Sequence, residues 1–219
     1  APIITAIFIG LIMHRIATLV SALLLSIQVQ AVQPTMLDRM RSIQGDAKAL
    51  QHAIDQGRQT ASFCSNCHGE NGISAIPEVP NLAGQNPAYL LEQMRKFTTG
   101  DRRDPFMQGL IKVLKEDERV EIVLYYSAAR PQAGKANPAL AAKGKEKFNK
   151  QCAACHGELA KGNDTVPRLA GQKSTYIEIS LTRYGSRTGD RNDPQMNAIA
   201  MALSKEDIAA IAGYLASMP

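Results

Sequence analysis

The chain has 219 residues, 45% hydrophobic but only 5% aromatic, with a formal net charge of +5 and a pI near 9.1. That length suits one or two ordinary domains. The basic balance would fit a nucleic-acid partner, but neither a basic run nor an aromatic stacking platform accompanies it, and nucleic acid is set aside.

The chain opens on an apolar stretch from Pro2 to Met13, broken by His14-Arg15 and resuming from Ile16 to Ile27. Met13 to Ala31 reads as an export signal. Met-His-Arg is the charged start, Ile16 to Ile27 the apolar core, and Val29-Gln30-Ala31 the cleavage site. Residues 1–12 would then lie upstream of the true start, Met13. The rival reading is a retained membrane anchor, since residues 3–32 are long enough for a bilayer core of about 30 Å. Arg15 would sit near the middle of that span at about 2.5–3.5 kcal/mol, and neither apolar run alone reaches ~20 residues. Cleavage is the favoured expectation.

Residues 46–63 read as a helix running into Cys64-Ser65-Asn66-Cys67-His68. C-x-x-C-H is the attachment signature of c-type haem: two thiols form thioethers with the vinyl groups, and the adjacent histidine is held under the iron. A Gly- and Pro-rich loop follows, containing Pro80-Asn81-Leu82-Ala83-Gly84-Gln85. A second helix is expected over 87–97. Gly100-Asp101-Arg102-Arg103-Asp104-Pro105-Phe106-Met107 comes next, then a closing helix from Asp117 to Ala129 with apolar spacing of three and four. Its Lys115-Glu116-Asp117 start places acids in the first turn, where the helix dipole favours them.

Arg130 to Pro138 is polar, bounded by prolines, and reads as a short linker that keeps two domains close. Beyond it the pattern repeats. A helix over 139–151 enters Cys152-Ala153-Ala154-Cys155-His156, followed by Pro167-Arg168-Leu169-Ala170-Gly171-Gln172 and a helix over 174–184. Gly189-Asp190-Arg191-Asn192-Asp193-Pro194-Gln195-Met196 comes next, then a closing helix from Lys205 to Ser217 with Ser204 as N-cap. Cys64 to Cys152 is 88 positions, Pro80 to Pro167 is 87, and Met107 to Met196 is 89. The drift implies short insertions in loops, so this is a duplicated domain.

All four cysteines lie in the two pentapeptides. A shared zinc would leave the duplication unexplained, and a Cys/His zinc site needs four ligands where each half offers three. The remaining histidines are His14, in the apolar segment, and His52, expected at a solvated surface. A low-spin haem usually takes a second axial ligand, often Met. Met107 and Met196 occupy the same place in the repeat, whereas Met94 aligns with Leu181 and Met201 with Lys112, so Met94 and Met201 are expected in the core. The fold expected is all-α, without strands.

Two halves, each with C-x-x-C-H, P-x-L-A-G-Q and G-D-R-x-D-P-x-M, resemble the dihaem cytochrome c4 family, tandem class I cytochrome c domains, over about residues 46–219. The resemblance implies two covalent haems c with His/Met ligation. Cys64, Cys67, His68 and Met107 would bind the first, and Cys152, Cys155, His156 and Met196 the second. The irons would be held by His68, Met107, His156 and Met196. It also implies that the carbonyls of Pro80 and Pro167 accept a hydrogen bond from the ligand histidines. First and last helices would cross at Gly144 with Tyr214, and at Gly57 with Tyr125. The expected layout is residues 1–31 as extension and signal, 32–129 as domain 1, 130–138 as linker and 139–219 as domain 2. Asp101-Arg102, Asp190-Arg191, Gln85 and Gln172 are candidates for the haem propionates, with surface roles an alternative for the charged ones.

The function implied is single-electron transport in the periplasm, from a quinol–cytochrome c oxidoreductase to a terminal oxidase in a respiratory chain, with no catalytic residues. The alternatives are a dihaem electron-accepting subunit of a periplasmic dehydrogenase, such as a flavocytochrome c, and a dihaem peroxidase. The peroxidase needs one iron with an open site, whereas both halves here offer a Met. Residues 46–129 carry nine basic and eleven acidic side chains and residues 139–219 eleven and eight, an asymmetry that would let the two domains face differently charged partners.

Overall fold

A computed structural model of the chain describes residues 34–134, 138–186, 188 and 190–219. The expected signal or anchor (residues 1–31, with His14) lies outside them, as do 135–137 in the expected linker and Gly189 of the second G-D-R motif. Among the described residues no helix is long and apolar enough to cross a membrane.

The architecture is helical. In chain order the elements are α1 (Met36–Gln44), α2 (Ala47–Thr60), α3 (Ser65–His68), α4 (Pro87–Thr99), α5 (Pro105–Val113), α6 (Glu116–Ala128), α7 (Pro138–Gln151), α8 (Ala153–His156), α9 (Ser174–Ser186), α10 (Pro194–Met201) and α11 (Lys205–Ala216). Among the described residues the only β-pairing is an isolated antiparallel bridge between Arg102 and Arg191. Met40, Leu91, Val120, Val123 and Leu124 form one core, with Ala61, Ile122, Tyr125 and Tyr126 beside it. Phe148, Ala170, Ile177, Ile211 and Leu215 form another. The first lobe (lobe 1) is thus built by α1 to α6 and the second (lobe 2) by α7 to α11.

Each lobe is organised by its first long helix crossing its last, α2 on α6 and α7 on α11. Both crossings are glycine-tight. A Cβ on Gly57 would collide with the Glu121 carbonyl and stand 2.9 Å from Tyr125 Cβ; one on Gly144 would collide with the Ala210 carbonyl and stand 2.7 Å from Tyr214 Cβ. The small residue lets the two backbones touch, which brings the segment after α2 or α7 under the closing helix.

Caps set the boundaries. Asp104 and Asp193 accept the backbone N–H of Met107 and Met196, each at 3.1 Å, with Pro105 and Pro194 in the first turn. A side-chain acceptor at N-cap and proline at N1 are what a helix start favours. Ser204 caps α11 through Asp207 N–H at 3.1 Å. Helices α1, α5 and α10 are additional to the elements expected from the sequence. α1 carries a capping box, Thr35 with Asp38, and buries Met40 to 2% exposure. Met201, expected in the core, is 54% exposed at the end of α10, because the outer side of that short helix faces solvent. Met94 does pack on the first core, and His52 is exposed.

Candidate functional site

The two C-x-x-C-H segments form the single-turn helices α3 and α8, each ended by a glycine at positive φ, Gly69 at 80° and Gly157 at 77°. One turn puts both thiols of a pair on the same short segment, close enough to act on each other electrostatically. None of the four is in a disulfide. Burial pushes the Cys64 thiol up and the Cys152 thiol to about 11, helped in each case by the neighbouring cysteine.

His68 is 8% exposed and His156 5%. Nδ1 of His68 lies 3.0 Å from the Pro80 carbonyl, and Nδ1 of His156 lies 3.1 Å from that of Pro167. A carbonyl only accepts, so Nδ1 carries the proton and donates, leaving Nε2 with its lone pair. Burial holds both imidazoles below the ordinary histidine range, against the pull of the proline carbonyls, with Arg102 adding to the depression at His68. Both are therefore neutral at pH 7, the form that binds a metal. Two free thiols three residues apart, then a buried imidazole whose Nδ1 is already spent, fit haem c in both lobes.

Met107 and Met196 take equivalent positions in the first turns of α5 and α10, and both are half-buried. The G-D-R-x-D-P-x-M loop of lobe 1 comes near His68, since Arg102 is close enough to bias that imidazole.

The lobes meet through the same motifs. Gln172 Oε1 accepts from Asn81 N–H at 2.8 Å and its Nε2 donates to Asn81 O at 2.9 Å. Gln85 repeats this on Arg168, at 2.7 and 2.9 Å. Asn86 Nδ2 adds bonds to the carbonyls of Asn163 (2.7 Å) and Val166 (2.8 Å). Gln85 and Gln172 therefore spend their amides on the opposite lobe's backbone, which corrects the expectation that they reach for propionates.

Arg191 corrects the surface alternative, being only 6% exposed. Arg102 and Arg191 both donate to the Tyr176 hydroxyl, Arg102 at 3.2 Å, and Arg191 also donates to Tyr184 at 3.2 Å. Arg102 stacks over Phe97 at 4.4 Å, and Arg191 over Tyr184, the repeat counterpart of Phe97, at 5.4 Å. Burial alone would raise the Tyr176 phenol, but the two guanidiniums outweigh it and bring it below the usual range. No carboxylate pairs with either arginine among the described residues. This seam was not expected from the sequence; the signals for it are that Gln85 and Gln172, and likewise Tyr89 and Tyr176, stand 87 positions apart in the repeat.

Comparison with known proteins decides the family. The chain is 37% identical to cytochrome c4 of Pseudomonas aeruginosa over 183 residues, covering 78% of this chain and 88% of that one. It belongs to the cytochrome c4 family. The cytochrome c domain family matches residues 141–219. The crystal structure of reduced cytochrome c4 from Pseudomonas stutzeri superposes with a TM-score of 0.70 at 31% identity, covering 75% of this chain and 98% of the other. A protein of Thiomonas intermedia described as thiosulfate dehydrogenase electron acceptor is 34% identical, over 73% of this chain and 80% of its own length. As a cytochrome c4, the chain is an all-α electron carrier with covalently bound haem c in tandem cytochrome c domains.

Proposed function

We propose that this cytochrome c4 carries single electrons in the periplasm, from a quinol–cytochrome c oxidoreductase to a terminal oxidase. Haem c supplies the redox chemistry, one electron per iron. Cys64 and Cys67 would tether one haem, whose iron His68 and Met107 would hold; Cys152, Cys155, His156 and Met196 would do the same for the other. Pro80 and Pro167 orient the imidazoles and strengthen them as ligands. The observation that carries this reading is the matched pair of Nδ1-to-proline contacts, which leaves the same nitrogen free in both buried histidines.

Arg102 and Arg191 are the cations suited to the haem propionates. Two guanidiniums held between lobes without a carboxylate would otherwise cost several kcal/mol of desolvation. Anionic propionates there would supply the counter-charge that these two guanidiniums lack among the described residues.

A second reading is favoured by the Thiomonas relative's description: the electron source is a periplasmic dehydrogenase of an inorganic sulfur compound. Both readings make the same spectroscopic prediction. A pyridine haemochrome of the exported protein gives two haems c per chain, and the oxidised spectrum shows the far-red Met–iron band at full intensity. Half the band, or a high-spin haem that reacts with peroxide, would overturn the axial assignment. Rapid reduction by a thiosulfate dehydrogenase and not by a quinol oxidoreductase would select the second reading.

A further inference from the structure

The arginine seam is asymmetric, and one difference between the repeats accounts for it. Arg191 lies over the rings of Tyr176 and Tyr184, at 5.5 and 5.4 Å, and donates to both hydroxyls. Lobe 2 therefore holds its own arginine with two phenols. In lobe 1 the counterpart of Tyr184 is Phe97. Its ring stacks with Arg102 at 4.4 Å but offers no oxygen. The counterpart of Tyr176 is Tyr89, which accepts from neither arginine among the described residues. Arg102 finds a side-chain acceptor in its own lobe at Gln93 Oε1, 3.0 Å away, and takes the next one across the seam, at Tyr176.

The backbone brings the two arginines together. Arg102 and Arg191 are opposed in the antiparallel bridge, and Arg103 N–H donates to Asp190 O at 3.0 Å. Like charges directly opposed repel. The acids of these loops do not relieve them: Asp101 pairs with Arg95, Asp190 accepts from the Thr188 hydroxyl, and Asp104 and Asp193 cap their helices. A phenol oxygen has two lone pairs, and Tyr176 offers its one oxygen to both guanidiniums. If that oxygen were lost, Arg191 would keep Tyr184, whereas Arg102 would keep an amide and a ring face. Only Arg102 stands close enough to a candidate haem histidine to act on it, at His68; among the described residues no arginine acts in this way on His156.

We propose that Tyr176, a lobe 2 residue, is a positioning residue for the lobe 1 haem: its hydroxyl holds the Arg102 guanidinium near His68 and so raises the potential of the iron in the other lobe. The inference rests on the reading of His68 as an iron ligand. A fixed cation disfavours ferric iron, so a guanidinium released to swing away lets the potential fall. The potential of one haem thereby depends on the docking of the lobe that carries the other.

The test is a spectroelectrochemical titration of the full haem-loaded protein, with each potential assigned to its lobe by the haem methyl resonances. Tyr176→Phe keeps the ring and removes only the oxygen. It lowers the lobe 1 potential by about half or more of the fall seen in Arg102→Leu, and leaves the lobe 2 potential nearly in place. Tyr89→Phe leaves both in place. Phe97→Tyr added to Tyr176→Phe gives Arg102 a phenol of its own lobe, as Tyr184 serves Arg191, and restores the lobe 1 potential. An unmoved lobe 1 potential in Tyr176→Phe, or an equal fall in Tyr89→Phe, overturns the proposal. Arg102→Leu separates that failure from failure of the ligand reading. If the lobe 1 potential ignores Arg102→Leu as well, the placement of the iron at His68 near Arg102 falls with the proposal; if it answers Arg102→Leu alone, only the role of Tyr176 falls.

Discussion

Gln172 closes a ring of two hydrogen bonds on Asn81, and its repeat counterpart Gln85 closes the same ring on Arg168. Each half of the duplication therefore uses its P-x-L-A-G-Q loop twice, once to hold its own histidine through the proline and once to grip the other half. Replacing either glutamine by alanine strands a largely buried peptide N–H and carbonyl, costing about 1–3 kcal/mol. The expected outcome in calorimetry is one cooperative transition for the unaltered protein and two partly separated ones for Gln85→Ala/Gln172→Ala. A single unshifted transition would show that the lobes are held by other contacts.

The glycine crossings predict a matched pair of failures. Gly57→Ala and Gly144→Ala each force a methyl into a backbone carbonyl of the facing helix. Overpacking of this kind costs about 1–3 kcal/mol and sometimes more, so both variants lose thermal stability, whereas Gly109→Ala, with open space around it, does not. Circular dichroism melts of the three separate the cases.

Helix α1 is an integral part of lobe 1. Met40 is 2% exposed against Val120, Leu91 and their neighbours. Met40→Ala is expected to cost about 2–5 kcal/mol. Urea unfolding reads this directly, and an unchanged midpoint would mean that α1 is only loosely docked.

Asp207 predicts an acid limb in stability. Its carboxyl is held below the ordinary carboxylate range, chiefly by Lys147 with Lys143 behind it. A depressed folded-state pKa adds stability above the unfolded value, near 3.8, and that contribution disappears as pH falls through the lower folded value. Asp207→Asn should therefore lower stability at pH 7 and flatten the loss below about pH 4. Equal slopes in acid for the two proteins would remove Asp207 from the account.

Arg102 predicts an asymmetric potential. The cation that disfavours a protonated His68 also disfavours the extra positive charge of ferric iron bound to that imidazole. Arg102→Leu should lower the potential of the lobe 1 haem and leave the other nearly in place, as read by spectroelectrochemical titration. A fall in both potentials would mean that the arginine seam acts on the two haems alike.

The sequence by itself determined the duplication, the two attachment segments, the paired methionines and most long helices, because each is written in local spacing. A thiol pair three residues apart followed by histidine, or apolar residues three and four apart, needs no distant partner to be recognised. It also placed the glycine crossings, through the repeat register and the resemblance. Tertiary structure alone decided what the shared loops do to each other. Gln85 and Gln172 look like site residues when read along the chain, but their partners lie 83 and 91 positions away. Arg191 looks like a surface charge until the other lobe covers it. Met201 looked like core and is exposed, since the outer side of α10 has nothing packed upon it. Long-range burial and pairing depend on which surfaces meet, and only the packed lobes fix that.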